Sequence, residues 1–587
     1  MRKLTDILEE RISAAMGAVI GKNAPALVRP AADAKFGDYQ ANGMMAAAKQ
    51  VKTNPRQLAE KVVAAMEIAD ICEPPEVAGP GFINLRLKDS FLAERLLGIY
   101  RDAERLGVDK AETPKIVVVD YSAPNIAKQM HVGHLRSTII GDCIARLYDF
   151  AGHTVIRQNH IGDWGTQFGM LIAYMKAQYP HLLDHPASAQ IADLEAFYQN
   201  AKQLSDDNEL FAKQARQEVV QLHNHYPETM AIWKQIVDQS RQHYQPIYES
   251  LNITLTADDE RGESFYADQL ADVVAELKVK GLAVESDGAV CVFPEGFKNK
   301  DGQPLPFIIQ KSDGAFLYAT TDLAALRFRV QDLKAETVIY VTDARQALHF
   351  QMLFAAAKMA GWVDERITLE HVTFGTMLGA DGKPFKTRTG GTVKLKDLLD
   401  EAVERAKAVV EEKNPDLPAE QKAQIARAVG VGAVKYADYA NNRNSDYVFS
   451  FDRMLSLDGN TAPYMQYAYA RIKSIQRKAA GKEVDIQNEL NGLSALLLTE
   501  PAEKDLAKLL VRYDQAIAAA TEEYRPNYLT SYLYDLAQAF SRFYTACPVL
   551  TAQAPHRPTR LLLCDLTART IRHGLSELLG IEVLDQM

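Results

Sequence analysis

A parallel α/β core carrying an insertion, preceded by a small α+β domain and followed by an all-α bundle, is the fold three observations predict. Short β-branched and apolar runs alternate with helical periodicity from Lys115 to about Val393. Long polar helical patterns interrupt that alternation at about 171–281. After Lys394 the strand signals give way to almost continuous helical patterning. Length agrees, because 587 residues exceed one ordinary domain and suggest about three or four. Boundaries are expected at 1–112, 113–455 and 456–587.

The first domain opens with an amphipathic helix. Met1 to Glu10 turns acidic before any apolar secretory core could form. A second helix is expected from Pro55 to Met66, with a turn at Phe36 to Gln40 between the two. Glu76 to Leu87 alternates at its end as a half-buried strand does, and a charged helix, Ala93 to Leu106, closes the domain. In the core, Ile116–Val119, Thr154–Gln158, Thr337–Val341 and Ile367–Phe374 read as buried strands. The insertion holds long polar helices such as Asp193–Val220. From Ala462 onward Tyr, Ala, Leu and Arg dominate, and a last helical stretch, Leu575–Gly580, lies near the C-terminus.

Composition narrows the class further. With 47% hydrophobic and 24% charged residues the chain is globular, and no run approaches the roughly 18 apolar residues of a membrane span. The cytoplasm is the expected location. A net charge of −10 does not favour nucleic acid, but locally basic faces can coexist with net acidity. Cys72, Cys143, Cys291, Cys547 and Cys564 form no CxxC pair and have no histidine at metal spacing, so buried free thiols are expected and no structural zinc.

Chemistry concentrates in two places. Asp120 to Ser137 follows a strand and opens a helix, and it contains Asn125, Lys128 and His131-Val132-Gly133-His134. Unpaired N–H groups at a helix start favour anions, histidines there can donate to phosphate, and Gly133 leaves room for a flat base. Taken alone, the same four residues also fit two histidines satisfying a turn. The second place, Met377 to Gly391, combines four glycines with three cations, including Lys383 and Lys386. Such a loop can close over polyphosphate or be a solvated surface loop, and it carries no Walker pattern.

Together, the two segments resemble the paired signatures of class I aminoacyl-tRNA synthetases, with Lys383-Pro384-Phe385-Lys386 departing from the second signature at its middle positions. Ser122 to Lys128, Asn159 to Gly169, Tyr318 to Asp322 and Asn460 to Ala468 resemble the arginyl-tRNA synthetases in particular. The resemblance implies a Rossmann-type catalytic domain, ATP with Mg2+ as co-substrate, L-arginine and arginine tRNA as partners, no metal bound by the protein itself, no membrane association, and a monomer. It implies ATP contacts from His131, Gly133, His134, Lys383 and Lys386, with Lys128 and Lys386 sharing the relief of phosphate charge. It places Asp120, Asn125, His134, Tyr318, Asp322 and Gln346 around the amino acid.

Those residue types suit the substrate, because a guanidinium is planar, permanently charged and offers five donors. Read without the family, Asp120 is an ordinary strand-end turn former, and Tyr318 with Asp322 an ordinary helix face. The resemblance also gives residues 1–112 the outer corner of the tRNA and the C-terminal bundle its anticodon. Tyr39, Tyr464, Tyr467, Arg471, Phe540 and Arg542 carry side chains suited to splayed bases, although aromatics at helical spacing are more often core. A cysteine enzyme of the same class would show zinc ligands, and a glutamate enzyme would want cations where Asp120 and Asp322 stand. A small-molecule nucleotidylyltransferase would need neither the insertion nor the helical tail.

Overall fold

The computed structural model describes residues 1–179, 193–385, 393–482 and 484–587. They form two compact units. One is Glu112–Ser456 with Leu578–Ile581, and the other joins Met1–Ala111 with Leu457–Glu577 and Glu582–Met587. The chain's first and last stretches therefore share a unit. Among the described residues no helix is long and apolar enough to cross a membrane.

The Glu112–Ser456 unit is built on strand β1 (Ile116–Asp120), whose Val117, Val118 and Val119 are wholly buried. A continuous β-branched run is what a strand covered on both faces requires. Helix α1 (Val132–Phe150) follows and packs closely on the strand end, since a Cβ at Gly141 would lie 2.2 Å from the Tyr121 Cβ. Then come β2 (Thr154–Gln158), the insertion helices α2 (Leu194–Asp207), α3 (Glu209–His223) and α4 (Pro227–Ser250), and α5 (Tyr318–Gln331). Strand β3 (Thr337–Asp343), helix α6 (Ala347–Met359) and strand β4 (Thr368–Phe374) complete the sheet.

All neighbours in this sheet are parallel, in the order β4-β3-β1-β2. From β1 the chain moves one way to β2, and later returns to the other side of β1 with β3. Strand order reverses between β1 and β3, and a crevice opens outside the carboxyl ends at such a point. The four strands expected from sequence are these four.

Two details of this unit differ from the sequence reading. The helix expected over Asp193–Val220 is broken at Asn208, whose extended backbone and Oδ1 cap the N–H groups of Leu210 and Phe211 and start α3. A three-stranded antiparallel sheet, Ala283–Ser286, Ala289–Val292 and Phe307–Gln310, lies between insertion and α5 without having been expected. Its only strong local mark is the Asp287-Gly288 hairpin turn.

In the other unit, an antiparallel sheet of Val28–Pro30, Tyr39–Ala41, Phe82–Leu85 and Glu76–Ala78 carries the N-terminal helices. The expected turn at Phe36 to Gln40 ends as a strand, and the closing helix runs Asp89–Arg101. The C-terminal stretch is helical, including Ala462–Ala480, Tyr513–Glu522, Pro526–Ala546 and His556–Arg572. Within this unit Arg95 pairs with Asp514 at 3.4 Å, both buried. All five cysteines are buried and free.

Candidate active site

The connection from β1 to α1 is a held, strained loop. Ser122, Ala123 and Ala127 adopt φ of 73°, 47° and 60°, a left-handed region that costs a non-glycine residue about 1–3 kcal/mol. Side chains from three other elements fix it. The Ser122 N–H donates to Ser137 Oγ, and the Ser122 hydroxyl bonds the Tyr248 hydroxyl at 2.6 Å. The Ala123 N–H donates to Asn159 Oδ1, and the Ala127 N–H to Ser240 Oγ. Asn125 pairs through its backbone with Gly162, where a Cβ would lie 2.8 Å from Asn125 Oδ1. The result presents Asn125 and Lys128, both exposed, at the mouth of the crevice.

At the start of α1 the two histidines cap the helix reciprocally. His131 Nδ1 accepts from the Gly133 N–H, and His134 Nδ1 accepts from the His131 N–H. Gly133 is required for this, because a Cβ would sit 2.7 Å from the His131 ring. Burial, and then the Lys128 ammonium, hold His131 below the ordinary histidine value. Burial, and then His131, push His134 down to about 4. Both rings are neutral at pH 7 with Nδ1 acting as acceptor, so each carries its proton on Nε2 as a donor. A helix N-terminus with two further donors suits an anion.

The far side of the crevice is acidic. Tyr318 and Asp322 stand one turn apart at the start of α5, Tyr318 being 65% exposed. Asp322 Oδ2 accepts from His349 Nε2 at 2.6 Å, and His160 Nε2 lies 3.9 Å from Oδ1. The His349 and Tyr318 rings are 5.1 Å apart. Gln346, at the turn from β3 to α6, is exposed. Glu263 joins this group. Burial, with Asp163 and Asp322 nearby, pushes its carboxyl up to about 7. Sequence reasoning missed Glu263 and His349, and gave no role to His160 although it stands in the Asn159–Gly169 motif. Nothing in Arg261-Gly262-Glu263-Ser264 marks a site, whereas His349 follows Gln346 by one helical turn.

Asp120 is placed differently from the expectation. Its Oδ2 lies 2.8 Å from Arg329 Nη2, and Arg329 is wholly buried, with Nε donating to Gln158 Oε1. The carboxylate expected to meet the substrate guanidinium thus already balances an internal one. Removing one partner of such a buried pair costs about 3–5 kcal/mol. The pair ties α5 to the end of β1 and so fixes Asp322 relative to Asn125.

In the glycine-rich loop, Lys383 is exposed on a tight turn closed by the Gly379 N–H to Lys383 carbonyl bond of 2.7 Å. Phe385 packs on Phe449 with ring centroids 5.0 Å apart. Phe385, one of the two departures from the second signature, is therefore an anchor. Lys386 lies outside the described residues.

Of the residues expected to face RNA, two are corrected. Tyr39 is wholly buried, with Arg512 5.0 Å over its ring and its hydroxyl accepting from Gln515. Phe540 is 1% exposed among Phe543 and Tyr544. Neither ring has a face free for a base. Tyr467 is 45% exposed with the Arg471 guanidinium 4.8 Å over its ring. Tyr464 is half-buried beside Tyr534, and Arg542 is exposed.

Comparison with known proteins covers the whole chain. Residues 99–451 match the family model described as tRNA synthetases class I (R), catalytic domain. Residues 465–587 match the DALR anticodon binding domain, and 2–87 the arginyl tRNA synthetase N terminal domain. The chain is 51% identical to the arginine–tRNA ligase of Chromobacterium violaceum over 99% of both sequences. It is 53% identical to that of Cellvibrio japonicus over 100% of both. Among solved structures, the arginyl-tRNA synthetase of Plasmodium falciparum matches with TM-score 0.84 at 30% identity, covering 100% of each chain. That of Thermus thermophilus matches with TM-score 0.80 at 26% identity, also over 100% of each.

Proposed function

The chain belongs to the arginyl-tRNA synthetase family, and we infer that it ligates L-arginine to its tRNA at the crevice between β1 and β3. The arginine carboxylate attacks the α-phosphorus of ATP, giving arginyl-adenylate and pyrophosphate. The 2′-hydroxyl of the tRNA's terminal adenosine then attacks the adenylate carbonyl and AMP leaves. The first step needs no protein nucleophile. It needs positioning and relief of charge on the α-phosphate.

The observation that carries the division of roles is the polarity of the crevice, donors and cations at the start of α1 and the Asp322 carboxylate at the start of α5, with Glu263 near it. ATP is assigned to His131, Gly133, His134 and the Lys383–Lys386 loop, with Lys128 at the reacting phosphate. Arginine is assigned to Asn125 and His134 at its α-carbon end. Asp322, Tyr318, Gln346 and Glu263 receive its guanidinium. Asp120 acts through Arg329 by bracing that pocket. Mg2+ enters with ATP as the counter-ion of its phosphates. Residues 1–112 meet the outer corner of the tRNA. In the bundle, Tyr464, Tyr467, Arg471 and Arg542 meet the anticodon. The enzyme works as a monomer in the cytoplasm.

ATP–pyrophosphate exchange with each amino acid, with and without total tRNA, tests this reading. Exchange is expected with arginine alone and only in the presence of tRNA. Exchange driven by a different amino acid overturns the assignment of the pocket.

A further inference from the structure

Lys128 is a surface lysine on a loop, and so long a side chain has rotamer entropy to lose before it can serve at one point. Its ammonium lies 4.5 Å from the ring centroid of Tyr198. Tyr198 does not come from the nucleotide-binding core. It stands on α2, the helix that opens after Asp193 within the insertion. Three residues earlier on the same helix face, Glu195 Oε2 is 3.7 Å from Lys394 Nζ. Lys394 pairs through its backbone with His131, and the Glu195 charge acts on the His131 ring. One face of α2 therefore meets the signature twice, at Lys128 through a ring and beside His131 through a carboxylate.

We propose that Tyr198 is the positioning residue of Lys128, this helix of the insertion holding that ammonium on an aromatic face where the α-phosphate reacts. The proposal rests on the reading of Lys128 as a charge-relieving group. A ring held against a lysine narrows its rotamers without neutralising it, as a carboxylate partner would, so the full positive charge stays available to phosphate. Cation–π attraction, stronger once the pair is desolvated, is enough to bias the side chain. The geometry also makes the insertion a participant in the first step, since any displacement of α2 frees Lys128.

The test is tRNA-dependent ATP–pyrophosphate exchange by the full chain, comparing Tyr198→Leu, Tyr198→Phe, Lys128→Ala and the Lys128→Ala/Tyr198→Leu double variant. Tyr198→Leu is expected to lower kcat about three- to tenfold with the arginine KM unchanged. Tyr198→Phe, which keeps the ring, retains wild-type kcat, and the double variant is no slower than Lys128→Ala alone. A wild-type rate for Tyr198→Leu while Lys128→Ala is impaired overturns the role of Tyr198 and leaves that of Lys128 standing. A wild-type rate for Lys128→Ala removes the reading beneath the proposal. Additive losses in the double variant show that Tyr198 acts by another route. Should the leucine variant melt below the assay temperature, Tyr198→Met, flexible and non-aromatic, makes the same comparison.

Discussion

The two ends of the crevice are built by opposite means. At the ATP end the backbone does the work, with three left-handed residues, a reciprocal histidine cap and a glycine that admits the His131 ring. At the guanidinium end, side chains from separate loops and helices converge on Asp322, and no comparable backbone device is present among the described residues there. The first arrangement fixes neutral donors whose charge state does not change near pH 7. The second collects carboxylates, and burial, with Asp163 and Asp322 adding repulsion, lifts Glu263 into the physiological range. Position is the product of one end and charge of the other.

If that contrast holds, His131→Ala should lower the rate of adenylate formation about a hundredfold or more, the scale of losing one preorganised donor, with the arginine KM unchanged. Single-turnover exchange measures it, and a change confined to arginine KM breaks the division. Asp322→Asn should do the reverse, raising arginine KM by about ten- to a hundredfold through loss of a charged hydrogen bond, with ATP KM unaffected.

A smaller effect sharpens the acidic side. Glu263, at about 7, is partly protonated at neutral pH and must ionise to attract a guanidinium. Arginine affinity should fall as pH drops through 7, by at most about tenfold per unit for one linked proton. Calorimetric titration of arginine into wild type and Glu263→Gln checks this, since the variant should show a flat profile across that window.

A last effect concerns stability. His134, His371 and His573 are each held at about 4, chiefly by burial. Their folded values lie below the unfolded value of about 6.5, so the unfolded chain binds more protons between the two. Their contribution is complete above about pH 6.5 and is lost as pH falls toward 4. Chemical denaturation from pH 7 to 4 should show a progressive decline, with a shallower slope for His134→Gln.

This contrast also explains what could be read from the sequence. Apart from the Lys383–Lys386 loop, the ATP end is one contiguous stretch, because a strand, a strained loop and a helix cap must follow one another along the chain, and its residue types are visible together. The acidic end is dispersed over residues 160 to 349, and only the Asn159–Gly169 and Tyr318–Asp322 stretches have a local pattern. Glu263 and Tyr198 become partners of the site only through the path the insertion takes back to the sheet. The four parallel strands were legible because buried β-branched runs have few alternatives, whereas the short antiparallel strands around Asp287-Gly288 bury too little to stand out. Asp120 and Tyr39 were misplaced for a common reason. A residue type that suits a ligand also suits a buried partner, and Arg329 and Arg512 were not visible as such from sequence spacing.

The joining of Met1–Ala111 with Leu457–Glu577 in one unit has a consequence for synthesis on the ribosome. At about 5–20 residues per second, the helices that cover Tyr39 and pair with Arg95 emerge on the order of tens of seconds after the N-terminal sheet. During that interval the Tyr39 ring and the Arg95 guanidinium of the closing helix lack the residues that cover them, leaving a nascent surface suited to a chaperone. A ribosome stall placed between residues 111 and 457 would lengthen this wait, while leaving the N-terminal strands all present.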